Sequence, residues 1–325
     1  MRLLALARPH SSHVIHDAVQ FDRAMNGETT GFRFAFASTA LSTTHDPRRE
    51  TDDGRARVDA RSLANETRVA ASELEISVVH VDCATWIGER VRVHDIDVVR
   101  ACPWAVASTL GAHTEGMDVV RGVYEGGLKM WECASDLASF IARRAFEKYI
   151  ANEGEVSLFE LGAGHGLPSL VCARALRGRA RALTTSDYNE DVAREVTIPN
   201  ALGTMDLMRE EGDEPPREFR CLCGDWGGYH AFVSAGSVDV ALSSDSVYDV
   251  DAYDGLCGFL AHALSEDGVC FLAAKSYYFG VGGGTHAFSK HCERFGLRAE
   301  NAETLSDGKS NVREILIIRK VKPAS

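Results

Sequence analysis

The chain has 325 residues, 45% of them hydrophobic, and 47 Asp+Glu against 35 Lys+Arg give it a net charge of −12. The length allows a full core and is long for one domain. The acidity argues against a free-standing nucleic-acid binder, which would show a basic face. Nine scattered cysteines without a C-x-x-C pair argue against a disulfide framework and for free thiols in a reducing compartment. No apolar run reaches the length of a membrane span.

In chain order, residues 1–8 are too short and unpatterned for a secretory signal. Arg2 and Arg8 precede the first acid, Asp17, a weak organelle-targeting trait. Residues 40–75 are rich in Thr, Ser, Asp, Arg and Glu and read as a disordered linker. Alternation returns from Leu74. The chain is therefore divided into a largely disordered N-terminal segment, 1–73, an extension of the main domain, 74–135, and the main domain, 136–325.

The most informative stretch is 158–166, Leu-Phe-Glu-Leu-Gly-Ala-Gly-His-Gly. It reads as a strand running into a glycine turn at Gly162, Gly164 and Gly166, where a ligand can approach the backbone. The helix expected over 168–176 offers free N–H groups at its start. A dinucleotide fingerprint has its third glycine three residues after the second; here the gap is two. Glu160, just before the first glycine, would repel a pyrophosphate and suits a cationic ligand. Taken alone, the loop also fits an ordinary strand-turn-helix of another α/β protein.

A second strand ends at Asp187, Tyr188 and Asn189, where a ribose-binding carboxylate belongs. A third, 219–223, ends at Gly224, Asp225 and Trp226, an acid and an indole able to recognise adenine. A fourth, 238–243, ends at Asp245 and Tyr248. A fifth, 268–274, ends at Lys275, Tyr277, Tyr278 and the glycines 282–284. Helices are expected over 252–264 and 285–295, and a last buried strand over 312–319. Strands alternating with helices imply an α/β fold with a mostly parallel sheet covered by helices on both faces.

Six separated motifs go beyond fold class. They are 122–133 (Gly-Val-Tyr-Glu-Gly-Gly-Leu-Lys-Met-Trp-Glu-Cys), 187–189 (Asp-Tyr-Asn), 197–200 (Thr-Ile-Pro-Asn), 224–226 (Gly-Asp-Trp), 245–248 (Asp-Ser-Val-Tyr) and 278–284 (Tyr-Phe-Gly-Val-Gly-Gly-Gly). In this order they resemble the eukaryotic protein-histidine N-tele-methyltransferases, seven-strand class I methyltransferases that act on a histidine of ribosomal protein L3. The resemblance runs from Val78 to Lys320. A fainter one at 31–38, which relatives carry near their first residue, suggests either Met25 as a working start or a lineage-specific leader over 1–24.

The resemblance implies S-adenosylmethionine as cofactor and 136–325 as its methyltransferase domain, with a seven-stranded Rossmann-like sheet. Trp131, Glu132, Cys133 and Ala134 match the cofactor segment that precedes the first strand. Gly162 and Gly164 match the methionine-end loop. Asp187, Tyr188 and Asn189 match the ribose region, and Gly224, Asp225 and Trp226 the adenine region. Ser243 matches the strand end beneath the cofactor. Asp245 and Tyr248 match an acid-x-x-aromatic motif that faces the substrate. Two departures stand out: Asp245 where relatives often have Glu, and His165 where they have a small polar residue. The implied partner is a protein substrate, a ribosomal one, with no direct contact to nucleic acid or membrane. A monomer in the cytoplasm and nucleus is expected.

Methyl transfer needs a lone pair on the acceptor, and a neutral imidazole has one on one nitrogen and a proton on the other. Little base strength is required at the ordinary histidine pKa, so positioning should dominate. Asp245 is the candidate acceptor for the ring N–H, with Tyr248 and Tyr278 as walls. A helix N-cap or a cofactor partner fits Asp245 equally well. Lys275 reads as a solvated loop cation, His165 as a loop residue, and the glycines 282–284 as shaping a substrate channel. No metal constellation is present in the sequence. Two functions compete: a related protein-lysine methyltransferase, and a cofactor-binding ribosome-assembly factor.

Overall fold

The structure, a computed structural model, describes residues 69–74, 88–101, 118–306, 308 and 311–322. The expected disorder of the first 68 residues, the alternation after Leu74 and the proposed start at Met25 lie outside the described residues.

Strand β1 (Ser72–Glu73) is followed by a hairpin of β2 (Gly88–Val93) and β3 (Ile96–Ala101). Helix α1 (Glu132–Ala142) then leads to β4 (Val156–Leu161), α2 (Leu167–Ala175) and β5 (Ala180–Asp187). Next come α3 (Ile198–Glu211), β6 (Glu218–Cys223), β7 (Val238–Ser244) and α4 (Tyr253–Ala263). The chain closes with β8 (Leu264–Lys275), α5 (Thr285–Cys292), β9 (Leu297–Leu305) and β10 (Arg313–Lys320).

Eight strands form one sheet in the order β1-β6-β5-β4-β7-β8-β10-β9. From β6 to β8 neighbours run parallel, and β1 and β10 are antiparallel to their neighbours. Without β1, this is the expected seven-stranded sheet. The chain builds outward from β4 through β5 to β6, then returns to the other side of β4 with β7. The order therefore reverses between β4 and β7, and ligands of open α/β sheets bind outside the strand ends at such a point.

Every residue of β4 is buried, as expected of a strand covered on both faces. Its side chains alternate between two cores. Val156 and Leu158 join Leu137, Phe140 and Ile141 of α1 and Leu170 of α2 on one face. Phe159 and Leu161 join Leu256, Phe259 and Leu260 of α4 and Phe288 of α5 on the other. Ile315 and Leu316 of β10 divide between the same two cores. Seven cysteines among the described residues are free and buried. No described helix is long and apolar enough to cross a membrane.

Two differences from the sequence reading bear on the site. The strand β9 was not expected, because its edge position leaves most side chains half-buried or exposed and removes the apolar pattern. Residues 69–73, assigned by composition to the N-terminal segment, form an edge of the sheet. Leu74 N–H donates to Cys221 O at 2.9 Å, and Asp225 N–H donates to Val69 O at 2.9 Å. Arg220 grips the Glu73 carboxylate at 2.7 and 2.8 Å. A chain beginning at Leu74 loses the Val69 bond and this exposed ion pair. We expect it to be less stable by about 1–2 kcal/mol, roughly 2–8 °C in Tm, with weaker cofactor binding at Asp225. An unchanged melting curve and affinity would show that the strap contributes nothing.

Candidate active site

A cavity of about 360 Å³ opens at the carboxyl ends of β4, β5 and β7 and beside Asp225, just after β6. Its floor is the glycine loop, and its lid is the segment 122–131. The two meet backbone to backbone. Gly164 lies at φ +50°, and a Cβ there would come within 2.8 Å of Gly127 O. Gly127 in turn sits against the Asp187 carboxylate, 2.8 Å from where its own Cβ would be. Glycine is required at Gly164 by both conformation and space.

Thr197 and Asn200 hold this loop from behind. Thr197 Oγ1 donates to Gly164 O at 2.5 Å, and Asn200 Nδ2 donates to His165 O at 2.9 Å. A π-helical turn, Ala193–Thr197, precedes α3 and brings both side chains under the loop. The sequence marks 197–200 as a motif without giving it this role.

Glu160 does not face the cavity, contrary to the expectation of a carboxylate turned to a cationic ligand. It is fully buried beneath α2, and its Oε2 accepts the Ser169 N–H at 3.1 Å. Its Oε1 has no hydrogen-bond partner among the described residues. Burial pushes its pKa up to about 8 from 4.5. The folded state thus holds a proton that the unfolded chain has already released above pH 4.5. This contribution to stability is complete below pH 4.5 and is lost as pH rises through about 8. Glu160→Gln imitates the protonated acid, so its Tm relative to the parent should rise from about pH 5 to about pH 9. A pH-independent difference between the two would place the charged form in the fold.

Of the expected cofactor residues, Trp131, Ala134, Gly162, Gly164, Asp187, Tyr188, Asp225 and Trp226 line the cavity. The Asp187 carboxylate accepts N–H groups of Gly164 at 2.9 Å and Asn189 at 3.1 Å. Burial nevertheless raises its pKa to about 6. Trp226 Nε1 is buried with no partner among the described residues, an indole donor at the expected adenine end.

Glu132, Cys133, Asn189, Gly224 and Ser243 stand behind the lining. Glu132 pairs with Lys275 at 3.3 Å. Cys133 is buried in the core. Asn189 clamps the lid, accepting Glu125 N–H at 2.9 Å and donating to Val123 O at 2.6 Å. Gly224 lies against the backbone of Ala70. Ser243 Oγ lies 3.0 Å from Leu161 O and 2.7 Å from Ser246 Oγ, tying β7 to β4.

Asp245, Tyr248 and Tyr278 all line the cavity, and the two phenol rings lie edge to face with centroids 6.2 Å apart. Asp245 has φ +50°. Its Oδ1 accepts the Tyr278 hydroxyl at 2.6 Å, and its Oδ2 accepts the Cys133 N–H at 3.0 Å. It therefore caps the first turn of α1 from the end of β7. Tyr248 donates to Glu125, a carboxylate that the sequence reading left without a role. Lys275 is buried rather than solvated. His165 is buried at the cavity wall with Nε2 3.0 Å from Leu128 O, and burial lowers its pKa to about 4. It is neutral at pH 7.

The sheet order, the glycine floor and the acidic lining fit a nucleoside cofactor that carries positive charge. Sequence comparison points the same way. The chain is 36% identical over 203 residues to histidine protein methyltransferase 1 homolog of Dictyostelium discoideum, covering 62% of this chain and 60% of that one. It is 34% identical over 208 residues to the Bos taurus homolog, covering 58% and 53%. The chain is similar in sequence to the histidine protein methyltransferases. It spans little more than half the length of these curated relatives. A family profile described as lysine methyltransferase matches residues 121–279. That profile takes in the lid, the glycine loop and all three candidate catalytic residues. Among solved structures, the SAM-dependent methyltransferase of Agrobacterium tumefaciens aligns with a TM-score of 0.43 at 11% identity, over 72% of this chain and 70% of that one.

Proposed function

We propose that the chain is an S-adenosylmethionine-dependent protein-histidine methyltransferase whose substrate is a histidine of ribosomal protein L3. The observation that carries the activity is two carboxylate–phenol pairs, Asp245–Tyr278 and Glu125–Tyr248, beside a glycine-floored cavity at the sheet's switch point. The histidine methyltransferases among its relatives support the acceptor, and the sequence resemblance supports the ribosomal protein. A ribosomal substrate supports a location in the cytoplasm and nucleus.

The cofactor residues have separate tasks. Gly162 and Gly164 give the methionine end a floor without side chains. Asp187 would hold the ribose hydroxyls, and Asp225 and Trp226 would hold the adenine. S-adenosylmethionine, when bound, supplies a methyl group on a sulfonium. The acceptor enters from the side where Tyr277 and Phe279 stand exposed, edge to face with centroids 5.2 Å apart. Exposed aromatic rings beside a cavity suit a protein surface better than a small molecule. Because a neutral imidazole already carries its lone pair, these residues need to orient it rather than deprotonate it. A lysine acceptor would first have to lose a proton held to about pH 10.4.

The test is incubation with S-adenosylmethionine and ribosomal protein L3, followed by mass-spectrometric mapping of the methyl group. Methylhistidine is expected. Methyllysine would establish the lysine reading that the family profile's description favours. Tight cofactor binding without transfer would favour an assembly factor.

A further inference from the structure

Glu125 is a half-buried carboxylate in the lid, placed there by three independent contacts. Its Oε1 accepts the Gly122 N–H at 2.6 Å, and its own N–H is held by Asn189 Oδ1 at 2.9 Å. Its Oε2 accepts the hydroxyl proton of Tyr248, which lies 123 residues away in the chain. An ion pair between Arg121 and Asp249, at 3.3 Å, flanks the pair. Glu125 and Tyr248 both line the cavity.

This arrangement determines what the phenol can offer a substrate. A hydroxyl has one proton and two lone pairs. Tyr248 spends its proton on Glu125, so toward an incoming ring its oxygen acts as an acceptor. Burial and the Glu125 charge raise the phenol's pKa well above its ordinary value, which keeps that proton in place. Tyr278 likewise donates its proton, to Asp245, and its oxygen accepts the Lys275 N–H at 3.2 Å.

Resting on the histidine reading above, we propose that Glu125 is a positioning residue that fixes Tyr248 as the acceptor for the Nπ–H of the substrate imidazole. That contact selects the tautomer whose lone pair is on Nτ. The Nτ lone pair then forms the N–CH3 bond, the electrons of the broken S–CH3 bond stay on sulfur, and the imidazolium releases its Nπ proton to solvent. With a neutral amide at position 125, the phenol proton is no longer bound to one direction. Tyr248 can then donate to the ring, and the opposite tautomer is admitted.

The test is regiochemical. Glu125→Gln and Tyr248→Phe are each incubated with S-adenosylmethionine and ribosomal protein L3. The product is hydrolysed, and τ- and π-methylhistidine are separated against standards. Cofactor affinity is measured by calorimetry in parallel. The parent should give τ-methylhistidine. Both variants should bind cofactor within about twofold of the parent, turn over roughly 10–100-fold more slowly, and give a measurable π fraction. A slower reaction that stays wholly τ, or a turnover loss matched by a cofactor-affinity loss, would reduce Glu125 to a lid brace and overturn the proposal. Parent-like turnover in both variants would overturn it too. If the Glu125 variant fails to fold, Tyr248→Phe, which removes one oxygen atom, decides the matter. Methyl on lysine in the parent would instead remove the histidine reading on which the proposal stands.

Discussion

Gly164→Ala is expected to weaken S-adenosylmethionine binding by about 100-fold, equivalent to about 3 kcal/mol. Two effects combine. The residue sits at φ +50°, where a side chain costs roughly 1–2 kcal/mol in backbone strain. The new Cβ would also press within 2.8 Å of Gly127 O, a backbone atom that cannot rotate away. Moving Gly127 moves the lid, and with it Glu125 and Trp131. Shifting Gly164 instead loosens its N–H bond to Asp187 and the Thr197 bond to its carbonyl. Either response disturbs the methionine and ribose ends together. The matching change at Gly162 is milder. Its Cβ would meet only the Trp226 ring, at 3.7 Å, leaving the backbone strain of φ +64°. Gly162→Ala should therefore lose about tenfold. Calorimetric titration of both variants tests the ranking. If Gly164→Ala binds as tightly as the parent, the contact between loop and lid does not shape the cofactor site.

Much of the site was legible because its signals are local. A glycine turn after an apolar run, and a polar cluster after each of the next strands, mark strand ends that a parallel sheet must gather on one edge. The sequence could not show which members of each motif face inward. At 131–134 it implicated four successive residues, and helix geometry turns Trp131 and Ala134 to the cavity while Cys133 enters the core. Lys275 looked solvated because its chain neighbours are loop-like. Its real neighbours are Tyr278, three residues on, and Glu132, which only the fold brings to it. Glu160 looked ligand-facing from its place beside the glycines. The alternation of β4 instead points it at α2. Glu125 stood in plain view within the lid motif. Its partner Tyr248 belongs to a different motif, and no spacing rule joins them.

Asp245→Asn is expected to destabilise the protein and reduce cofactor affinity and turnover together. Had Asp245 only the substrate-orienting role that the sequence offered beside the N-cap and cofactor readings, the outcome would be a turnover loss alone. The structure gives Asp245 two buried donors to satisfy, the Tyr278 hydroxyl and the Cys133 N–H. A carboxylate can accept both, whereas an amide has one acceptor oxygen and would turn its NH2 toward the other donor. One buried donor left unsatisfied costs about 1–3 kcal/mol, or roughly 2–12 °C in Tm for a domain of this size. Backbone strain does not confuse the comparison, because asparagine tolerates the left-handed φ of +50° as well as aspartate does. The loss spreads to the site through both donors. Cys133 lies in the first turn of the helix that places Trp131 and Ala134 at the cavity, and Tyr278 is itself part of the wall. Melting curves, calorimetry and turnover measured on one preparation separate the two accounts. A fall in turnover with Tm and affinity unchanged would return the orienting role to Asp245. A joint fall would leave that role to Glu125 acting through Tyr248.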